Sequence, residues 1–268
     1  MGKTIHCFFS GGRDSAVACY IARRVALQRD WVFRLVHIDT TISLRATQEY
    51  VRRYAEWLGV ELTVIRPKKT FKEYAAQHGM WPSLFPQRYR WCYFYIKLDP
   101  TVEYLEENYK ENDLVALGVR GPESKFRLGR YTSAFFIRVY NKRLKVMAWA
   151  PLWKATSETV ERLIRHYNIP RNPIWKYGFS GECLCLAGAP LHEIAIILLR
   201  FPEESHELLE IDDIIQKNRK SGRPSAPFRV AQAGFPTLRS FYEHVRKQQT
   251  LDLYMPYAGN ACQGSCLL

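Results

Sequence analysis

The first third of the chain alternates short apolar runs with longer segments in which apolar residues recur every three or four positions. Short apolar runs predict buried strands, and the longer spacing predicts amphipathic helices. The predicted strands are Ile5–Phe9, Trp31–Ile38 and Val60–Ile65, and the predicted helices are Asp14–Gln28, Leu44–Leu58 and Phe71–His78. Because alternating strands and helices are typical of a parallel sheet with right-handed crossovers, we expect an α/β fold with a parallel doubly wound sheet.

The pattern changes in the middle of the chain. A helix is predicted over Cys92–Asn108, with Pro100 as a kink or a break, since proline lacks the N–H group that a helix interior needs. Further along, the pattern predicts a strand over Leu114–Val119, a hairpin formed by Phe135–Tyr140 and Leu144–Ala150, and a helix over Ser157–His166.

Beyond Pro190 the pattern predicts helices only, over Leu191–Leu199, Glu203–Asn218 and Leu238–Gln248. We therefore place a boundary near residue 200. Residues 1–200 are expected to form the α/β domain, and residues 201–268 a helical C-terminal extension with a cysteine-containing tail.

The segment between the first strand and the first helix, Ser10–Ser15, reads Ser-Gly-Gly-Arg-Asp-Ser. Two adjacent glycines let the backbone approach a bound anion, while the N–H groups and the positive end of the helix dipole point at it. The segment lacks the Lys-Ser/Thr pair of a Walker loop and the GxGxxG spacing of a dinucleotide turn. An ordinary tight turn is the alternative, but Ser10, Asp14 and Ser15 around the glycines favour a phosphate site.

Charge adds a second indication of anionic partners. The chain has 39 Lys and Arg against 26 Asp and Glu, a formal net charge of +13, so its surface should attract phosphates or a nucleic acid. A basic surface without such a partner is the alternative. The two richest stretches contain Lys68, Lys69 and Lys72, and Lys217, Arg219, Lys220 and Arg223. With no signal peptide and no apolar run of membrane-spanning length, we expect no membrane partner and a cytoplasmic location.

Seven cysteines in a chain expected to be cytoplasmic favour metal or redox chemistry over a disulfide framework. Cys7 and Cys19 lie in apolar periodic segments, so we expect them in the core. Candidates for chemistry are therefore Cys92, Cys183, Cys185, Cys262 and Cys266.

Four other polar segments fall at predicted strand ends or in loops, where open α/β sheets carry their sites. His37–Thr41 places the carboxylate of Asp39 at the end of a strand. Arg88–Pro100 combines cations with a cysteine, and Gly118–Arg127 clusters charge after a strand. Asn172–Cys185 ends in a Cys-x-Cys pair.

Together with the Ser-Gly-Gly-x-Asp-Ser loop and Leu152–Thr156, these segments resemble, in this order, the phosphoadenylyl sulfate (PAPS) reductase family of the PP-loop ATP pyrophosphatase superfamily. The resemblance spans about residues 5 to 190. It implies an adenine nucleotide alpha hydrolase-like fold and cleavage of ATP into AMP and pyrophosphate, with an adenylylated intermediate.

The resemblance also implies roles for individual residues. Those expected to bind the nucleotide are Ser10, Gly11, Gly12, Arg13, Asp14, Ser15, Asp39, Glu123 and Ser124. Asp39 would orient the ribose or Mg²⁺, unless it is only a turn carboxylate. Lys97, Arg120 and Arg127 would balance the charge that develops at the α-phosphorus, with a solvated surface charge as the alternative for Lys97 and Arg127.

Two departures from the family pattern affect the expected activity. Members that reduce PAPS have an altered loop and end in an ECGLH-like motif, whereas this chain keeps the intact loop and has Cys266 without the flanking Glu and His. We therefore expect ATP-dependent adenylylation of a substrate in sulfur transfer, with Cys266 as a sulfur carrier. The alternatives are a PAPS or adenylyl sulfate reductase that releases sulfite, and a non-catalytic nucleotide- or nucleic-acid-binding subunit. A sulfur donor protein or a thioredoxin-like reductant would be a partner, and we expect a homo-oligomer.

A metal site is a further implication, because iron-sulfur-bearing members place cysteines in the segments of Cys92, Cys183 and Cys185. With Cys262 or Cys266 as a fourth ligand, these thiolates would hold a 4Fe-4S cluster, and zinc would accept the same set. The alternatives are that the cysteines only pack in the core, or that one of them and Cys266 carry sulfur as a persulfide. The second role needs a thiolate whose pKa is lowered by Arg88, Arg90 or Lys176 nearby.

Overall fold

The computed structural model describes residues 2–84, 89–121, 133–140, 144–179 and 183–248. Its strands are β1 (Thr4–Phe8), β2 (Val32–Ile38), β3 (Leu62–Ile65), β4 (Leu114–Ala116), β5 (Phe135–Tyr140) and β6 (Leu144–Trp149). Its α-helices are α1 (Arg13–Arg29), α2 (Arg45–Leu58), α3 (Phe71–His78), α4 (Asp99–Asn108), α5 (Ser157–His166), α6 (Leu191–Arg200), α7 (Pro202–Lys217), α8 (Phe228–Gln232) and α9 (Leu238–Gln248).

These strands form one mixed sheet in the order β3-β2-β1-β4-β6-β5. β1 is central and pairs in parallel with β2 and β4, and β6 pairs in parallel with β4. β5 runs antiparallel to β6 at the edge, which confirms the predicted hairpin. The predicted α/β fold is also confirmed, and the carboxyl ends of its parallel strands meet at one edge of the sheet, where such folds bind ligands.

The predicted helix around Pro100 consists of two helices of different kinds. A π-helix over Cys92–Leu98 leads into α4, whose first turn contains the proline. The missing N–H group of Pro100 needs no helical partner at that position. The predicted break is therefore a change of helical hydrogen bonding just before the proline.

The sheet separates two hydrophobic clusters. Alternation along β1 sends Ile5 and Cys7 to a large cluster shared with α1 and α2, and Phe8 to a second cluster that includes Leu105 of α4. Cys7 and Cys19 are fully buried in the large cluster. Their expected place in the core is confirmed.

Helices beyond residue 200 pack on the α/β unit. The side chain of Trp81 donates from Nε1 to Asp212 of α7 at 2.9 Å, and Lys72 of α3 forms an ion pair with Glu210. The domain boundary near residue 200 stays a prediction. No helix in the described part of the chain has the length and apolar character needed to cross a membrane.

Candidate functional site

The Ser10–Ser15 loop joins β1 to α1 and is braced from behind. Gly11 has a φ of +78°, and a Cβ at this position would lie 2.7 Å from Cγ2 of Thr47. Its carbonyl oxygen accepts hydrogen bonds from Nδ2 of Asn172 at 3.2 Å and from Nε1 of Trp175 at 3.1 Å. The backbone at Gly11 is therefore held by a short 3-10 helix, Pro173–Tyr177, and by the residue before it.

Hydroxyl groups bracket the start of α1. Ser15 Oγ donates to the carbonyl of Gly12 at 2.9 Å and lies 3.0 Å from Ser10 Oγ. Gly12 is the N-cap and supplies no side-chain acceptor to the first amides of α1. An anion would satisfy such amides, which favours the phosphate site predicted here.

Gly118, which follows β4, lies against the backbone of the Ser10–Ser15 loop. A Cβ at Gly118 would lie 2.6 Å from both N and Cα of Ser15, a distance that real Cβ atoms do not adopt. The chain after β4 thus passes directly over the first turn of α1. Sequence reasoning placed Gly118 in a polar segment but did not identify this contact.

Asp14 and Arg120 form a salt bridge at the same edge, with Nε of Arg120 2.9 Å from Oδ2 of Asp14. Arg120 is only 7% exposed and also donates to Ser157 Oγ at 3.2 Å. A buried guanidinium with several acceptors is fixed in position. The structure therefore brings together two predicted site residues that lie 106 positions apart in the chain.

Asp39 follows β2 at this edge and is also bound to an arginine. Its carboxylate accepts from Nε of Arg66 and from the amide of Thr41, both at 2.9 Å. Partial burial alone would raise the pKa of Asp39, but the hydrogen bonds from Arg66 and Thr41 outweigh burial and hold the pKa below its ordinary value. Sequence reasoning missed Arg66, although an arginine directly after a predicted strand was a usable signal.

Lys97 lies in a different pocket, together with two of the candidate cysteines. The pocket is lined by Leu84, Arg90, Cys92, Tyr93, Lys97, Cys185 and Ala187. Cys92 and Cys185 are buried, and the pocket brings together the segments of the π-helix and of the Cys-x-Cys pair. Cys183 makes a β-bridge to Ser43 instead, beside a backbone hydrogen bond from Leu184 to Ile42.

A metal cluster does not fit the described cysteines. Within residues 2–84, 89–121, 133–140, 144–179 and 183–248, no three His, Cys, Asp or Glu side chains are grouped so as to hold a metal ion. The expected convergence of Cys92, Cys183 and Cys185 is therefore not found there, and we derive no step through a cluster. Other predicted residues lie outside the described part of the chain: Arg88, Glu123, Ser124, Arg127, Cys262 and Cys266.

Comparison with known protein families gives an independent finding. A family model described as the phosphoadenosine phosphosulfate reductase domain matches residues 4–182. An uncharacterized protein of Methanocaldococcus jannaschii is 28% identical over 208 residues, which are 75% of this chain and 40% of that protein. The chain thus spans well under half the length of this curated relative.

A solved structure of low sequence identity shares the fold, and a second one is similar at a lower score. The PAPS reductase of Candida auris, in a phosphate complex, has a TM-score of 0.50 and 19% identity, over 66% of this chain and 79% of that one. A U34-tRNA thiolase of Methanococcus maripaludis with its 4Fe-4S cluster has a TM-score of 0.46 and 15% identity, over 98% of this chain and 80% of that one. At 19% identity the likeness to the PAPS reductase concerns the fold alone.

Proposed function

This chain belongs to the phosphoadenosine phosphosulfate reductase domain family, and we propose that it is an ATP-cleaving PP-loop enzyme that adenylylates an acceptor for sulfur transfer. The observation that carries the proposal is the intact Ser-Gly-Gly-x-Asp-Ser loop with Arg120 fixed against its Asp14. Adenine nucleotide binding agrees with the family and with the amide groups at the start of α1.

The proposed reaction has three steps. An acceptor oxygen attacks the α-phosphorus, the bond between that phosphorus and the bridging oxygen to the β-phosphorus breaks, and pyrophosphate leaves. The outer sulfur of a persulfide on a donor protein then attacks the activated carbon, and AMP leaves with the acceptor oxygen. A reducing thiol then cleaves the S–S bond between donor and acceptor, so that the acceptor leaves as a thiol or thione and the donor as a disulfide with that reductant. The protein contributes orientation and charge balance rather than a covalent bond in the first step.

Each group at the carboxyl edge has a role in that first step. The loop from Ser10 to Ser15 would hold the phosphates through its amides and hydroxyls. Arg120 would stabilise negative charge on the leaving pyrophosphate, because its guanidinium is already oriented by Asp14 and Ser157. Asp39 would accept from the ribose.

Mg²⁺ is expected with ATP, but the described carboxylates do not form a prepared site for it. Asp14 is bound to Arg120 and Asp39 to Arg66, so each is already paired with a cation. We therefore assign charge balance at this edge to the two arginines and derive no step through a metal.

A test compares two substrates in two assays. With ATP and candidate acceptors we expect pyrophosphate release, and with PAPS we expect no sulfite. Arg120→Lys keeps the charge but loses the Nε hydrogen bond, so release should fall by about 10²–10³-fold, the usual loss for one electrostatic donor. Arg29→Lys, at the exposed end of α1, is the matched control and should retain activity.

The second candidate is reduction of PAPS or adenylyl sulfate to sulfite, which the family model itself favours. Sulfite release that depends on an added thiol, without pyrophosphate release from ATP, would replace the first proposal with this one. If the wild-type chain binds nucleotide but shows neither pyrophosphate release nor sulfite release, a non-catalytic binding subunit would be favoured.

A further inference from the structure

The two basic stretches noted in the sequence meet at the carboxyl end of α3. Lys69 donates to the side-chain oxygen of Gln77 at 3.1 Å, and Lys220 donates to the backbone oxygen of the same residue at 3.4 Å. Arg223 donates to the carbonyl of His78 at 2.7 Å. Residues 151 positions apart, Lys69 and Lys220, therefore share one surface.

The backbone of the loop after α7 also contacts the end of α3 directly. Gly79 ends α3 with a φ of +60°, and a Cβ there would lie 2.1 Å from the carbonyl oxygen of Asn218. The loop after α7 thus packs directly on the end of α3. The last residue of α7, Lys217, and two residues of this loop, Arg219 and Lys220, are exposed to solvent.

Two of these cations form no ion pair with another described residue. Within the described part of the chain, Lys68 pairs with Glu103 and Lys72 with Glu210. Lys69 and Lys220 form no ion pair there. The hydrogen bonds of Thr70 in the capping box lower the pKa of Glu73, and the charge of Lys69 adds to this effect without a direct contact. The charge of Lys69 and Lys220 is therefore available to an external anion.

An exposed aromatic ring borders the same surface. Tyr95 is 40% exposed and stacks on Tyr74, with ring centroids 5.1 Å apart and planes within 12°. Its ring centroid lies 5.6 Å from that of His78, the residue whose carbonyl binds Arg223. A supported tyrosine beside basic side chains is the arrangement that proteins use to stack unpaired bases while contacting phosphates.

Helix α3 connects the surface to the candidate nucleotide site. The amide of Phe71, at the start of α3, donates to Thr41 Oγ1 at 2.8 Å, and the amide of Thr41 donates to Asp39. An eight-residue helix is about 12 Å long, so the surface begins about one short helix away from the carboxyl edge of the sheet.

We propose that Lys69, Tyr95, Lys217, Arg219 and Lys220 form a basic-aromatic surface that binds single-stranded nucleic acid, which would be the acceptor class of the reaction. Phosphates would contact the cations, and an unpaired base would stack on Tyr95. Capping of the α3 carbonyls explains Arg223 and the contact of Lys220, but it does not explain the exposed cations of Lys69, Lys217 and Arg219 or the ring. Only the identification as acceptor rests on the proposed function.

Fluorescence anisotropy with labelled oligouridylate, oligodeoxythymidylate and a duplex of the same length tests the binding. We expect both single strands to bind more tightly than the duplex. Lys69→Gln/Lys220→Gln should lower the slope of log affinity against log salt by about 1.4, from roughly 0.7 for each lost phosphate contact on a single strand. Tyr95→Leu should weaken binding by about fivefold or more, whereas Tyr95→Phe should retain it.

The matched control is Lys110→Gln/Lys145→Gln, which removes two exposed cations at the amino-terminal ends of β4 and β6. The surface is wrong if no strand binds at low salt, if the duplex binds best, or if the control variant loses as much affinity as the test variant. Pyrophosphate release is measured separately, so binding without release would contradict the proposed function and leave the surface intact. Release that rises when the single strand is added would support the acceptor assignment.

Discussion

At the scale of single residues, two glycines allow the loop to pack as it does. Gly11 adopts a positive φ against Thr47, and Gly118 lies against the backbone of Ser15. The two positions differ in kind. A Cβ added at Gly11 would strain a left-handed backbone conformation and would displace the side chain of Thr47. A Cβ added at Gly118 would have to displace backbone atoms of Ser15, which a folded helix resists.

Gly118→Ala should therefore displace the start of α1. We expect nucleotide affinity measured by calorimetry to fall at least about tenfold and the melting temperature to drop, because the new Cβ would lie 2.6 Å from Ser15 N and Cα. Gly59→Ala is the control, since it adds the same methyl group at a position with a φ of +64° where a Cβ would meet no other atom within 4 Å. Its expected cost is about 1 kcal/mol of folding free energy with unchanged nucleotide affinity. Equal affinity in both variants would contradict the close contact.

At the scale of elements, a buried histidine connects the central strand to the helix beside it. His6 of β1 is fully buried, with Nδ1 2.9 Å from the hydroxyl of Tyr104 in α4 and Nε2 3.4 Å from Asp113. Burial lowers the pKa of His6 below its ordinary 6.5, although the hydrogen bond and charge of Asp113 partly oppose it. The folded state therefore takes up a proton less readily than the unfolded chain.

This difference in pKa predicts how stability depends on pH. The contribution of His6 is fully present above the ordinary histidine pKa of 6.5 and is lost as the pH falls below it toward the folded pKa. The limiting slope for one proton is about 1.4 kcal/mol per pH unit. Burial also lowers the pKa of His78 and His192, so all three act in the same direction.

Urea unfolding at pH 7 and at pH 5 measures the effect. We expect the wild-type free energy of unfolding to fall between these values and His6→Asn to show a smaller fall. His206→Asn, whose imidazole is 80% exposed, is the matched control and should behave like wild type. An unchanged pH dependence in His6→Asn would mean that His6 does not titrate differently on folding.

At the scale of the whole molecule, a buried carboxylate joins the helices after residue 200 to the α/β unit. Asp212 of α7 is 1% exposed and accepts from Nε1 of Trp81 at 2.9 Å and from the amide of Arg239 at 3.0 Å. Trp81 is itself fully buried beside α3. The same hydrogen-bond acceptor thus connects α7, the start of α9 and the segment after α3.

Asp212→Ala should destabilise the chain by about 1–3 kcal/mol, since the buried donor of Trp81 and the partly buried amide of Arg239 lose their acceptor. Asp213→Ala removes only an exposed ion pair with Arg239 and should cost about 0–1 kcal/mol. We also expect one urea transition by tryptophan fluorescence and circular dichroism. Two separate transitions in the wild-type chain would show that the helices after residue 200 form an independent domain.

The sequence alone determined the succession of elements and the place of the phosphate loop. Helices α3, α5 and α9 begin and end at the predicted residues, because capping residues and apolar spacing act over a few neighbouring positions. The glycine pair at Gly11 and Gly12 is a local signal of the same kind. Helix ends and apolar periodicity depend on residues a few positions apart, so the sequence alone is enough to predict them.

Only the tertiary structure decided which distant residues meet. The pairs Asp14 with Arg120 and Asp39 with Arg66 depend on strand order, which brings loops after separate strands to one edge. The same packing gathers Lys69 and Lys220 on one surface and leaves Cys183 bound to Ser43 rather than in a three-cysteine ligand set within the described residues. These contacts span dozens of residues, and their geometry follows from packing of whole elements, which no local pattern encodes.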